Sequence, residues 1–489
     1  MKPQIITLIA AVAYILLLFV VSHLLGSNRS ATAKTRHPRW LVTLAMVGAA
    51  VTGITFVSLP GSVEQDAFSY LQMNLGFIIA YIVIAYWLIP IYYRHNVTSL
   101  YEYLNERFGV VAQTTGAWFF IVAKMLGASL RIFVVCLALQ QLMSAPLGIP
   151  FWVTVIVFMA LAWLYTHRGG VSSVIWADLI KTICMVACVV LSIVFVLNVL
   201  DISFVEAVHQ GSEQGLTQIF FFDDINSSRH FVKLFLSGVF IVIASTGLDQ
   251  DLMQRILSSD SVRSAQRNMV LSSFIQVAFL ALMLMMGAIF FLYTRHNNLT
   301  TPTADEMFAF VASQRDMPML MGTLLVLGVV ASTFSSVGGS LTALTTSFMV
   351  DVLHARKRFK EERYEKIHHI VHFVMAALMI LAIFLFEAWG DGCSINLYFK
   401  MSSYTFGPLL GMFAFGAISK RRVRDGWVPL VAILSPALCA PLDYYSEQLF
   451  AGYQFGFEIL LLNAALTIIG LWLVSVSNKK INFVENIRK

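Results

Sequence analysis

Apolar residues run in stretches of about 20 along the whole chain, separated by short polar or charged segments. A run of that length, wound at about 1.5 Å per residue, crosses a hydrocarbon layer of roughly 30 Å as a helix. The pattern predicts thirteen spans, at 4–26, 40–60, 72–93, 113–143, 151–168, 170–200, 231–256, 267–295, 318–350, 368–388, 394–419, 426–446 and 456–477. Two of these, 113–143 and 318–350, are longer than a bilayer needs, so they must tilt, kink or protrude. The longest loop is 201–230, which leaves no room for a separate soluble domain. The expected fold class is an all-α polytopic membrane protein, a single transmembrane domain over residues 1–489.

Polar positions inside the spans refine this picture. The second and seventh spans carry glycine and small polar residues where a continuous helix would carry leucine: VGAAVTGITFVSLPG and SGVFIVIASTGLDQ. Interrupted helices at corresponding places in two halves point to an inverted-repeat secondary transporter with a site near the bilayer midplane. The ninth span contains GVVASTFSSVGGSLTALTTSF, in which Ser332, Ser335, Ser336 and Gly339 fall at i, i+3, i+4 and i+7 on one helix face. Such a stripe faces protein, water or a bound polar species rather than acyl chains. Taken alone, the hydroxyls could equally bond back to their own helix.

Composition agrees with a membrane protein: 58% of residues are hydrophobic and only 12% charged, against about 25% in soluble domains. The net charge of +6 is therefore a topology signal rather than a nucleic-acid surface. With the N-terminus outside, 24 of the 33 Lys and Arg residues fall in segments assigned to the inside, among them SKRRVRD and HARKRFKEERYEK. The first run is longer than a signal-peptide core and its positive charges follow it, so it reads as a retained helix. An integral plasma (inner) membrane protein with a cytoplasmic C-terminus is expected. The five cysteines are scattered and suggest neither a disulfide nor a zinc framework.

Four ordered stretches then bring a known family into view. VTSLYEYLNERFG (97–109), GGVSSVIWADLIKT (169–182), GLDQDLMQRILSSDSVRSAQRNM (247–269) and ASTFSSVGGSLTALTTSFMVD (331–351) resemble segments of the sodium:solute symporters. That family includes carriers of sugars, proline, pantothenate and sialic acid. The resemblance implies a five-plus-five inverted-repeat, leucine-transporter-like core. Residues 40–200 would form the first repeat and 231–419 the second, with an extra helix at 4–26 and two more at 426–477.

It also implies sodium as the coupling ion. The family's site maps onto the carbonyls of Gly48, Val51 and Val329 and the hydroxyls of Ser332 and Thr333. Some members, sialic acid carriers among them, hold a further sodium, whose ligands map here onto Asp178, Ser332, Ser335 and Ser336. Lys181 stands where the family usually has Gln, three residues beyond Asp178 on the same helix face. Sialic acid carriers also place an Arg on the fourth span to grip the substrate carboxylate, and Arg131 lies within about a turn of that place. A guanidinium reads a carboxylate through two parallel donors.

The remaining polar residues fall into place around these. Thr52, Thr55, Gln72, Asn74 and Ser245 are further candidates to meet a polar substrate. Ser245 and Thr246 replace the aromatic pair of sugar-carrying relatives, which argues against a stacked neutral hexose. Lys233 reads as interfacial, Lys400 as snorkelling to the outer surface, and the HHIVH histidines as interfacial rather than metal-binding. The absence of a catalytic triad, phosphate loop or nucleotide motif argues against an enzyme or an ATP-driven pump. The leading expectation is a sodium-coupled importer of a small polar solute, with a sugar acid such as sialic acid among the candidates. A proton-coupled carrier using Asp178 and a non-transporting sensor are the alternatives.

Overall fold

The computed structural model describes residues 7–16, 20, 39–90, 101–166, 171–249, 261–389 and 394–476. Fourteen helices matter for the architecture. They are α1 (Thr7–Leu16), α2 (Arg39–Ala50), α3 (Gly53–Gly61), α4 (Tyr70–Val83), α5 (Val110–Leu139), α6 (Phe151–Thr166) and α7 (Val171–Leu200). After them come α8 (Phe231–Val242), α9 (Val262–His296), α10 (Met319–Ser347), α11 (Glu361–Trp389), α12 (Ser394–Ile418), α13 (Val428–Tyr444) and α14 (Ile459–Leu473). In hydrocarbon every backbone N–H and C=O must be paired within its own segment, which is why apolar stretches of this length become helices.

Among the described residues, seven helices are long and apolar enough to cross a membrane; α2 and α3, bent by 59° at the break, would make an eighth taken as one span. Each of the thirteen expected runs overlaps a helix, with α2 and α3 sharing one. The long runs at 113–143 and 318–350 both end in a widened turn, at Gln140–Ser144 and Phe348–Val352. The expected interruption of the seventh span is also a widened turn, Ile243–Gly247, closing α8. Residues 91–100, 167–170 and 250–260, the stretch 21–38 and the C-terminal tail, which hold much of the charge read as cytoplasmic, lie outside the described residues.

The helices approach closely where side chains are absent. Gly76 on α4 and Gly238 on α8 meet reciprocally: a Cβ on Gly76 would lie 2.3 Å from the Phe235 carbonyl, and one on Gly238 2.1 Å from that of Met73. Membrane helices associate through such small-residue contacts because lipid supplies no hydrophobic drive between them. Buried polar groups add specific ties. Thr7 on α1 meets Thr323 on α10 at 3.1 Å. Asn463 on α14 donates to the carbonyls of Ser403 and Tyr404 on α12 and accepts from Ser435 on α13. Before α12, the Asp305 carboxylate accepts the Ser394 N–H at 3.2 Å, capping the helix. Burial raises the Asp305 pKa, and hydrogen bonds from Ser394 oppose the rise.

Two lysines take partners that the sequence did not indicate. Lys233 is 5% exposed, and its ammonium lies 3.4 Å from the centre of the Tyr453 ring. It donates to the carbonyls of Asn226 and Gln454, so it ties the 201–230 loop to the segment before α14. Lys400 does not simply reach for the surface; it pairs with Asp443 of α13 at 2.6 Å. Apolar periodicity carries no information on such distant partners.

Gly238→Ala should force its new methyl into the Met73 carbonyl and cost about 1–3 kcal/mol of stability. Thermal unfolding of the purified protein in detergent is expected to fall by several degrees. An unchanged midpoint would show that α4 and α8 separate freely.

Candidate functional site

The site begins at the break between α2 and α3. The helical ladder holds as far as the Val51 N–H, which donates to Val47, and resumes when the Phe56 N–H donates to Thr52. Between these bonds the carbonyls of Gly48, Ala50 and Val51 have no backbone hydrogen-bond partner among the described residues. Irregular backbone at membrane depth persists only where protein or a cavity receives it. Two glycines bring the break against its neighbours. A Cβ on Gly48 would meet the Asp178 carbonyl of α7 at 2.6 Å, and one on Gly53 would meet Thr333 Oγ1 at 2.9 Å and Ser332 Oγ at 3.1 Å. The sequence pattern singled out Gly48 but missed Gly53, the residue that lies against the hydroxyls; its place directly after the break was the available signal.

Ser332 and Thr333 are buried, with Oγ and Oγ1 3.3 Å apart. Both donate to the Val329 carbonyl, at 2.8 Å and 2.9 Å. Bonding back to the helix and binding a cation are therefore compatible, because each hydroxyl places its hydrogen on Val329 and keeps its lone pairs. Hard cations take about six oxygens at roughly 2.3–2.6 Å, the calcium range. The two hydroxyls and the carbonyls of the break without backbone partners are neutral oxygens of the kind sodium takes. Val329 fits less well than expected, since two hydroxyls already occupy its carbonyl.

The four expected ligands of a second sodium are not assembled in the same way. Asp178 is buried, and its carbonyl accepts the Thr182 hydroxyl at 2.7 Å. The Ser332 hydroxyl belongs to the first cluster. The Ser335 side chain lies outside the described residues. Ser336 donates to the Ser332 carbonyl at 2.9 Å and accepts the Lys181 ammonium at 3.3 Å. A sodium about 4 Å from that ammonium would be repelled by about 4 kcal/mol at an effective dielectric constant near 20.

Beside the break lies a cavity of about 1040 Å³ including its open mouth, lined by α3, α4, α5, α8, α9, α10 and α12. Thr52, Thr55, Asn74, Arg131 and Ser245 all line it, as expected of substrate-binding residues. Gln72 does not. It is buried, donates to the Arg229 carbonyl at 3.1 Å and accepts the Phe221 N–H at 3.1 Å, so it anchors the 201–230 loop instead. Three long polar side chains also reach the cavity from elsewhere in the chain: Tyr398, Tyr81 and Gln276. At one rim, Tyr70 donates to Asn396, which donates to Asp66 at 3.4 Å. Burial raises the Asp66 pKa, opposed by the Asn396 hydrogen bond and the charge of Arg229.

Lys124 and Arg131 of α5 both line the cavity but differ in their partners. Lys124 forms a buried 2.6 Å ion pair with Asp249, just beyond α8. Arg131 has no acidic partner among the described residues: Nη2 donates to the Tyr398 hydroxyl at 3.1 Å, and the guanidinium lies 5.1 Å from that ring's centre. Its buried Nε has no hydrogen-bond partner among the described residues. Arg131 shares a smaller recess with Gly53, Thr333, Ser336 and Ser340, which answers the question of the hydroxyl stripe. Its hydroxyls run from the sodium-like cluster to the arginine.

The model of the sodium:solute symporter family matches residues 6–427. The chain belongs to that family. This symporter is similar to the sodium/sialic acid symporter SiaT of Proteus mirabilis (strain HI4320), 22% identical over 438 residues and 84% of each chain. It is also similar to the sodium/sialic acid symporter NanT of Aliivibrio fischeri (strain ATCC 700601 / ES114), 23% identical over 398 residues, covering 79% of this chain and 76% of that one. A solved sodium-coupled sialic acid symporter in a substrate-bound outward-open state superposes with a TM-score of 0.80 at 19% identity, over 96% of this chain and 97% of the other. The fold is thus the five-plus-five inverted-repeat core of sodium-coupled transporters. The protein is a sodium-coupled solute symporter, and its family and relatives are transporters, not enzymes.

Breaking a buried ion pair by removing one partner costs about 3–5 kcal/mol, because the other charge is stranded. Lys124→Met and Asp249→Asn should each destabilise this symporter on that scale, and the double variant should recover most of the loss. Thermal unfolding checks this; a double variant as unstable as the sum of the singles would contradict it.

Proposed function

We propose that this symporter imports a small organic carboxylate, in the class of sialic acid and other sugar acids, with sodium bound beside it. Arg131 carries the reading. It is a cavity-lining guanidinium with an unpartnered Nε, no acid beside it among the described residues, and a tyrosine that fixes its plane. A cation so placed costs a few kcal/mol unless a bound anion compensates it. Thr52, Thr55, Asn74 and Ser245 line the same cavity and offer hydroxyl and amide partners for the polyol of a sugar acid. Relatives that carry sialic acid transport a solute of this class.

In the proposed binding state, sodium sits between the carbonyls of Gly48 and Val51 and the hydroxyls of Ser332 and Thr333. One hydroxyl releases the Val329 carbonyl, which then joins as a ligand. The ion lies one recess away from Arg131, so sodium and carboxylate reinforce each other electrostatically. The proposal includes thirteen crossings in one domain over residues 1–489. Repeats at 40–200 and 231–419 are flanked by helices at 4–26 and 426–477. The N-terminus is outside and the C-terminus cytoplasmic, in an inner membrane, an orientation that the distribution of Lys and Arg supports.

Ser332→Ala or Thr333→Ala removes one oxygen from the ion, a loss of about 1.5–3 kcal/mol. The sodium concentration for half-maximal uptake should rise roughly tenfold or more, with the fold intact. Uptake in proteoliposomes with unaltered sodium dependence in both variants would remove these residues from the site.

Arg131→Lys should strongly weaken uptake of the acid, because an ammonium cannot supply two parallel donors. The corresponding amide should be affected much less. The decisive assay is competition in proteoliposomes across sugar acids, monocarboxylates and their amides. A protein that carries only neutral solutes, with Arg131→Ala indifferent, would contradict the proposal.

A further inference from the structure

Lys181 sits fully buried on α7, where neither the sodium cluster nor the solute cavity explains its charge. Its ammonium donates to Ser336 at 3.3 Å, one of the four residues expected to hold a second sodium. The Ser336 hydroxyl places its own hydrogen on the Ser332 carbonyl, so its lone pairs face the ammonium. Asp178, the only carboxylate of that expected set, precedes Lys181 by three residues on the same helix, where positions i and i+3 are neighbours. Ser332 is already committed to the first cluster through Val329 and Thr333. One member of the expected donor set, Ser336, therefore already meets a positive charge, which a second sodium beside it would oppose.

We infer that the Lys181 ammonium is a fixed substitute for the second cation, so that this symporter couples to one sodium. A tethered charge and a diffusing ion differ in consequence, though both would meet the Ser336 hydroxyl. The ammonium neutralises its surroundings throughout the transport cycle and never dissociates, so it stabilises α7 against α10 without adding driving force. With a monoanionic solute, one sodium makes the cycle electroneutral, whereas two would move one positive charge per turnover. The inference rests on reading Ser332 and Thr333 as the remaining sodium site.

Equilibrium binding of radiolabelled sodium to the purified wild-type protein, with no organic solute present, tests this directly. Saturation at one sodium per chain with a Hill coefficient of one is expected. Lys181→Gln should gain a second sodium, and adding Asp178→Asn to that variant should abolish the gain. A wild type that saturates at two sodium ions overturns the inference, and so does a folded Lys181→Gln protein that still binds one. If Lys181→Gln does not fold, the wild-type count remains decisive. A wild type that binds no sodium overturns the Ser332–Thr333 site itself, a failure distinct from a count of two.

Discussion

A backbone carbonyl cannot be left unpaired in hydrocarbon, and the architecture around the α2–α3 break follows from that constraint. A break at membrane depth survives only if other groups come to meet it. Here α10 does so, with Ser332 and Thr333 pressed against Gly53, while α7 closes the other side against Gly48. The bend of 59° between the two half-helices opens space that an unbroken helix would fill. The solute cavity begins there, with Val51, Thr52 and Thr55 in its wall. The Ser332–Thr333 hydroxyls and the cavity thus flank one interruption, which is where the proposed ion and solute would meet.

The buried basic residues around this interruption sort themselves by partner. Lys124 is neutralised by Asp249, and Lys181 bonds a serine of the stripe. Arg131 has a tyrosine hydroxyl and an open donor. Of the three, it is the one proposed to receive a carboxylate from outside the protein. Charge alone does not distinguish these three roles. The distinction comes from which helix each side chain faces, since a buried charge is tolerable only when paired or compensated.

Most of the helix positions were legible in the sequence because the bilayer imposes a single length and a single polarity on every crossing. The break was legible for a similar reason: VGAAVTGITF is too rich in small residues to be a lipid-facing helix. The serine stripe, at helical spacing, drew attention to the helix of Ser332, and the family resemblance added Thr333. Legibility ended where function depends on which distant residue faces which. Gln72 looked like a solute ligand but holds the 201–230 loop through Arg229 and Phe221. Lys233 lies over Tyr453, more than two hundred positions away in the chain, a partner that the sequence pattern did not indicate. Periodicity assigns a residue to a face; it does not say what that face meets.

Hydrogen–deuterium exchange of the purified protein in sodium and in potassium most directly tests the claim that the break and the serine helix share one ion. Two segments separated by most of the chain, 47–53 and 329–333, should be protected together by sodium and not by potassium. Protection should appear without any organic solute. Identical exchange in the two salts, or sodium protection confined to one segment, would contradict a shared site.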